Sequence, residues 1–274
     1  MKIRIITSIV TLPLLLLVLI VLPPLFTALL MMAMCAVAAY ELLWTTGYVR
    51  QIRLLVYTMA AAACVPLWSY LGSSHGWGLV GILLFSGILF GEMLASGAKL
   101  PFSKVLTCLA GGLLIPYLLC SIVRLRIMEL GNVYVLLPFV IAFMSDTCAY
   151  FVGKLLGRHK LAPTISPKKT VEGMFGGIAG AVLGMMVFGL VLMLGFDQRV
   201  NFLYAVVYGI LGSLASVLGD LTFSVIKRQT DIKDYGKIIP GHGGVLDRFD
   251  SMTMVAPLAE ALLIILPFAE TING

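Results

Sequence analysis

Charge is scarce in this chain. Only 12% of its 274 residues are Asp, Glu, Lys or Arg, against about 25% in ordinary globular domains. No polar stretch is long enough to form a water-soluble domain between the apolar ones. Cys35, Cys64, Cys108, Cys120 and Cys148 all lie in apolar segments and form no Cys-x-x-Cys pair, which argues against a zinc site or a disulfide framework. They read as small hydrophobes. No internal repeat or low-complexity segment is evident. A small-x-small cleavage site is also missing after the basic, then apolar, amino terminus. Pro23-Pro24 and a second apolar run follow at once, so residues 6–22 are expected to stay as a first membrane helix.

What is there instead is hydrocarbon, at 60% of residues. A crossing needs about 20 predominantly apolar residues. Apolar runs lie at roughly 6–22, 25–44, 54–72, 78–97, 104–123, 133–154, 175–195, 202–226 and 252–270. This predicts an all-α polytopic membrane protein of about nine helices joined by short loops. Residues 1–130 would supply about five helices. Residues 131–274 would supply about four, with both polar loops. The first run is short and could be half of a hairpin bent at Pro23-Pro24.

The net charge of +6 does not imply nucleic acid, because the basic residues sit in short loops where they set topology. With the amino terminus inside, all of the 19 Lys and Arg except Arg124, Arg126 and Arg199 fall on the cytoplasmic side. Removing one span would put a charge-rich loop outside. Residues 155–174 and 227–251 then both face the cytoplasm. In the seventh run, Gly173, Gly176, Gly177, Gly180 and Gly184 include pairs four apart, a spacing that lets helices approach closely within or between subunits.

The scarce charge is concentrated. Residues 224–250 hold Lys227, Arg228, Asp231, Lys233, Asp234, Lys237, Asp247, Arg248 and Asp250, with His242, Gly236, Gly241, Gly243 and Gly244. Charge at a membrane is costly unless it meets water, a partner or a substrate. The cluster therefore points to chemistry on a charged substrate at the membrane surface. Asp220, Ser224, Lys227 and Arg228 follow i, i+4, i+7, i+8 and share one helical face. Asp220 lies about two turns deep, and either a loop cation pairs with it or a metal or substrate does. Asp247 and Asp250 share a face if helical. They could converge with Asp220 on Mg2+, whose sites combine few carboxylates with waters and substrate phosphates. Helix capping by one aspartate is the structural alternative. The glycines around His242 let backbone amides turn onto an anion. His242 itself is either a phosphate donor, acid or base, or a loop residue with a positional role.

A second cluster precedes the first. Ser145-Asp146-Thr147 lies inside the sixth run, with Tyr150 one turn on from Asp146. Lys154, Arg158, His159, Lys160 and Ser166-Pro167-Lys168-Lys169-Thr170 follow, then Glu172. Hydroxyls and lysines at a helix N-terminus suit a phosphate. A positive-inside loop with a capping box, Ser or Thr at the cap and Glu172 nearby, would explain the same residues. Glu41, Glu92 and Glu260 fit inward-facing structural pairs at least as well as functional roles.

These residues resemble the phosphatidate cytidylyltransferase (CDP-diacylglycerol synthase) family. Its signature is a serine, then Lys-Arg, then Lys-Asp, then Pro/Gly/Ser-x-His-Gly-Gly, then Asp-Arg-x-Asp. The chain matches with Ser224, Lys227-Arg228, Lys233-Asp234, Pro240-x-His242-Gly243-Gly244 and Asp247-Arg248-x-Asp250. Ser145-Asp146-Thr147-x-Ala149-Tyr150 and Ser166 to Thr170 with Glu172-Gly173 also look like family sequence. The resemblance covers roughly the C-terminal half and makes 131–274 the catalytic region.

The resemblance implies the reaction of CTP with phosphatidate to give CDP-diacylglycerol and pyrophosphate. It implies Mg2+ on Asp220, Asp247 and Asp250, and it is compatible with a second cation. Catalytic roles would fall to Asp220, Asp247, Asp250, Lys227 and His242. Substrate binding would fall to Ser224, Arg228, Lys233, Asp234, Gly243, Gly244 and Arg248, with Ser145, Asp146, Thr147, Ser166, Lys168, Lys169 and Thr170. The setting would be an inner cell membrane with the site on the cytoplasmic side, and the glycine ridge is compatible with a homodimer. A CTP-dependent lipid kinase would share the nucleotide site, but would release CDP. A lipid or ion transporter would need a polar path across the bilayer, whereas the polar residues cluster on one side. The Asp-Gly-x-x-Ala-Arg pattern of CDP-alcohol phosphotransferases is absent.

Overall fold

The computed structural model describes residues 9, 11–72, 75–97, 99–238 and 243–271. In chain order its helices and strands are α1 (Thr11–Val21), α2 (Pro24–Thr45), α3 (Ile52–Leu71), α4 (Gly76–Ala95), α5 (Phe102–Ile127) and α6 (Gly131–Leu156). Then come β1 (Lys160–Ala162), β2 (Ser166–Thr170), α7 (Val171–Gly195), β3 (Gln198–Val200) and α8 (Phe202–Gln229). The chain closes with α9 (Leu246–Phe249), α10 (Met252–Ile265) and β4 (Ala269–Thr271). Among the described residues, α2 to α8 are seven helices long and apolar enough to cross a membrane. The protein is an all-α polytopic membrane protein. The first and last of the nine expected runs appear as the shorter apolar helices α1 and α10.

Proline sets the first break. Leu22 is extended at ψ 155°, Pro23 follows at ψ 149°, and Pro24 occupies the first turn of α2. A proline has no N–H to continue α1 but suits a helix start. The carbonyls left open at the end of α1 find a donor, because Arg126 Nη2 reaches Ile20 O at 3.3 Å and Leu22 O at 3.0 Å.

The chain forms two compact units. One comprises Met1–Asn132 and Lys227–Phe249, the other Val133–Ile226 and Asp250–Gly274. The charged stretch after α8 therefore belongs with the amino-terminal helices, despite its late position. In the first unit, Gly111 and Gly112 of α5 lie against Leu42, Leu43, Thr58 and Phe85; a Cβ on Gly112 would collide with the Phe85 ring, and one on Gly111 would crowd Leu42 and Leu43.

In the second unit the glycine ridge is spent inside the chain. A Cβ on Gly176 would collide with Val152, on Gly180 with Cys148, and on Gly184 with Met144. The ridge of α7 is therefore the seam with α6, which leaves a homodimer without that support. Below it a core gathers Leu137, Ile141, Met185, Leu192, Tyr208 and Phe268. Tyr208 lies 4.9 Å from the Phe268 ring and donates to Leu266 O at 3.0 Å. Residues 155–174, expected as a loop, contain an antiparallel hairpin with Lys160 opposite Thr170 and Ala162 opposite Ser166. Its strands are too short, and too rich in lysine and proline, to carry a period-two signal.

Candidate functional site

In the first unit the site is built around one carboxylate. Lys227, in the last turn of α8, donates from Nζ to Asp247 Oδ1 at 2.9 Å. The two side chains are only 12% and 4% exposed. Asp247 Oδ2 accepts from the backbone N–H of Tyr235 at 2.7 Å and of Gly244 at 2.9 Å. Asp247 thus draws together the end of α8, the middle of the loop and its return into α9. Tyr235 is fully buried, and the Lys227 ammonium sits 5.5 Å from its ring centroid, within cation–π range. Gly243 adopts φ +87°, and a Cβ there would press on the Asp247 carboxylate. Glycine is required on both counts.

A second carboxylate, not assigned a role from sequence, completes this arrangement. Glu41 is fully buried in the widened last turn of α2. It accepts from Val245 N at 3.0 Å and Leu246 N at 2.9 Å. Arg228, Lys233, Asp234 and Arg248 are exposed around the loop. His242 lies outside the described residues.

In the second unit a polar row runs along α8. Ser213, Ser216, Asp220 and Ser224 recur at three or four residues and so share a face. Ser145 and Ser213 are hydrogen-bonded, Oγ to Oγ, at 2.8 Å. Ser216 donates to Asp146 Oδ1 at 3.4 Å, and Ser224 donates to Asp220 Oδ1 at 3.1 Å. Lys169 of β2 meets Asp220 Oδ2 at 2.5 Å. Asp146 lies within electrostatic reach of both Asp220 and Lys169. The cation that Asp220 meets here belongs to the hairpin before α7 and not to the loop after α8 from which one was expected. Of this row, the sequence spacing places Asp220 and Ser224 on one face; Ser213 and Ser216 were not singled out. Nor was the lysine partner, because no periodicity links β2 to α8.

The remaining candidates separate. Thr170 is buried and caps α7, accepting from Gly173 N at 3.1 Å. Glu172 does not complete a capping box. It turns back to accept from Arg158 N at 3.0 Å and to pair with His159 Nδ1 at 2.6 Å. Lys168 and Thr147 are exposed, and Ser166 is half-buried at the start of β2. Asp250 Oδ1 accepts from the adjacent Ser251 N at 2.8 Å, while its backbone carbonyl abuts Gly219. No side chain caps α10.

These donors define what a metal would find. Within each unit, among the described residues, no three of His, Cys, Asp and Glu gather as a metal cage. In the second unit Asp220, Ser224 and Asp250 offer hard oxygens. Oxygen donors of this kind are the chemistry of Mg2+, which retains waters and takes the rest of its shell from phosphates; at Asp220 the ion would meet oxygens that already accept from Ser224 and pair with Lys169. Asp247 offers only what its three hydrogen bonds leave of a carboxylate with about four lone-pair sites.

The resemblance drawn from the signature residues has independent support. The sequence model described as the cytidylyltransferase family matches residues 2–266. Proteins called phosphatidate cytidylyltransferase are similar to part of the chain. One from Staphylococcus epidermidis is 46% identical over 134 residues, which is 49% of this chain and 50% of that protein. One from Staphylococcus saprophyticus is 44% identical over 134 residues, with the same coverage. One from Staphylococcus aureus is 45% identical over 137 residues, again 49% and 50%. The chain spans about half the length of these relatives. The family match, in contrast, runs through both units, from the amino-terminal helices into α10, so the chain as a whole belongs to the cytidylyltransferase family.

Proposed function

We propose that the protein is a phosphatidate cytidylyltransferase acting at the cytoplasmic face of a bacterial cell membrane. A phosphate oxygen of phosphatidate attacks the α-phosphorus of CTP in line. The new P–O bond forms as the α–β bridge breaks, giving CDP-diacylglycerol and pyrophosphate. The observation that carries this reading is the complete signature, together with the family match over nearly the whole chain.

The chemistry needs no protein nucleophile. A phosphate monoester has a second pKa of about 6 and is already an anion near neutral pH. The barrier is charge repulsion and alignment, so the protein's work is positioning and neutralisation. The exposed Arg228, Lys233 and Arg248 would take phosphate oxygens, while Gly243 and Gly244 shape the turn that brings Asp247 into place, the Gly244 N–H being given to Asp247. Lys227, held by Asp247, keeps a fixed positive charge at the end of α8. Lys168 and Lys169, with Ser166, are suited to a second phosphate, that of the lipid or of the nucleotide. Ser145, Asp146 and Thr147 lie along α6, where Asp146 adds acidity near Asp220. Mg2+, when bound, would neutralise phosphate charge, with Asp220 and Asp250 of the second unit as its protein donors. A second cation is compatible with this acidity. The acyl chains would stay in the bilayer.

The test is pyrophosphate release by the purified protein in detergent. Release should require both CTP and phosphatidate and should stop with EDTA. Release of CDP, or of nothing, would overturn the proposal.

A further inference from the structure

Glu41 is the one acidic side chain among the described residues that is fully buried. It sits where α2 widens into a π-type turn, with Thr45 Oγ1 hydrogen-bonded to the Glu41 carbonyl at 2.5 Å. Burying a carboxylate costs several kcal/mol unless its lone pairs are met. Here they are met by backbone from 204 and 205 residues away, at Val245 and Leu246. A π-turn is an irregularity of the kind found at functional sites.

Two carboxylates divide the amides of one loop. Asp247 takes those of Tyr235 and Gly244, and Glu41 takes the next two, Val245 and Leu246. The glycines of the loop are shaped by this. A Cβ on Gly236 or on Gly244 would strike the Glu41 carboxylate. Gly244, read from sequence as backbone freed for an anion, and Gly236 therefore make room for a buried side chain of α2. Glu41 fixes the backbone immediately before Asp247 and Arg248.

We propose that Glu41 is a positioning residue for the signature loop. It holds residues 244–246 in the register that lets Asp247 grip Lys227 and sends Arg248 outward. The amino-terminal helices would then be part of the catalytic apparatus as well as its anchor. The catalytic half of this inference rests on the proposed cytidylyltransferase activity. The structural half does not.

The test compares wild type with Glu41→Gln and Glu41→Asp, each purified in detergent and checked for a monodisperse, cooperatively melting state. Gln keeps the shape but presents an N–H₂ to one amide donor, and Asp keeps the charge but is one methylene short. Hydrogen exchange of residues 243–249 is read first, without substrate. In Glu41→Gln these amides should exchange at least about tenfold faster, while α3 keeps its protection. Turnover is read second. kcat should fall about 30-fold, with KM for CTP changing less than about threefold, because a misplaced group costs alignment more than binding. Glu41→Asp should recover part of both. Unchanged exchange in a folded Glu41→Gln protein would overturn the inference, as would faster exchange with unaltered kcat. Wild type that makes no CDP-lipid would sink the activity instead, and the exchange result would still decide whether Glu41 holds the loop.

Discussion

Lys227 and Asp247 form an ion pair at 2.9 Å, with both side chains nearly buried. The pair joins the end of α8 to α9 across a loop otherwise rich in exposed charge. A buried pair of this kind is costly to break from one side, at about 3–5 kcal/mol, because the orphaned charge stays desolvated.

Asp247→Asn is therefore expected to lose stability as well as turnover. The amide cannot neutralise Lys227. Pairing it with Lys227→Met should restore most of the lost melting temperature and none of the activity. A double-mutant cycle on thermal unfolding and on CDP-lipid formation measures both. A single Asp247→Asn protein with unchanged melting temperature would contradict the account of the pair.

Lys169 and Asp220 give a second expectation. The lysine occupies a carboxylate oxygen that Mg2+ would also use. Lys169→Met should therefore lower the Mg2+ concentration needed for half-maximal binding, measured by calorimetry without substrate. A partly exposed pair is worth on the order of 1 kcal/mol, which corresponds to a shift of about fivefold. Turnover should fall in the same variant, since the lysine would no longer meet a phosphate. Unchanged or weakened Mg2+ binding would show that lysine and metal do not share Asp220.

The seam between α6 and α7 predicts a stability effect remote from the chemistry. Gly180→Ala places a methyl group against Cys148 and Met144. Overpacking costs about 1–3 kcal/mol. Gly87 and Gly91 of α4 have open space where a Cβ would stand, so Gly87→Ala should be neutral or slightly stabilising. Melting curves of the two variants in one detergent check the contrast.

Much of this architecture is legible in the sequence. Runs of hydrocarbon of bilayer length mark the helices, and Pro23-Pro24 marks the first break for a local steric reason. The spacing of Gly176, Gly180 and Gly184 announced a close helix contact. What it could not announce was the partner, which is α6 of the same chain. The signature residues were visible as charge in an apolar context, but their internal division of labour was not. Asp247 as the hub of a loop, and Glu41 as its second anchor, depend above all on contacts across 12, 20, 204 and 205 residues. No helical or strand period reaches that far. Lys169 and Asp220 are hidden for the same reason, and the hairpin bearing Lys169 is too short to show itself by alternation.

The most direct test of the central claim follows the α-phosphate. Purified protein is given phosphatidate, Mg2+ and CTP labelled at the α-phosphate, and the lipid fraction is separated. A cytidylyltransferase moves the label into lipid in step with pyrophosphate release, and Asp247→Asn does neither. Label that stays in free CDP while an unlabelled phosphate joins a lipid would contradict the account and place the protein among CTP-dependent kinases.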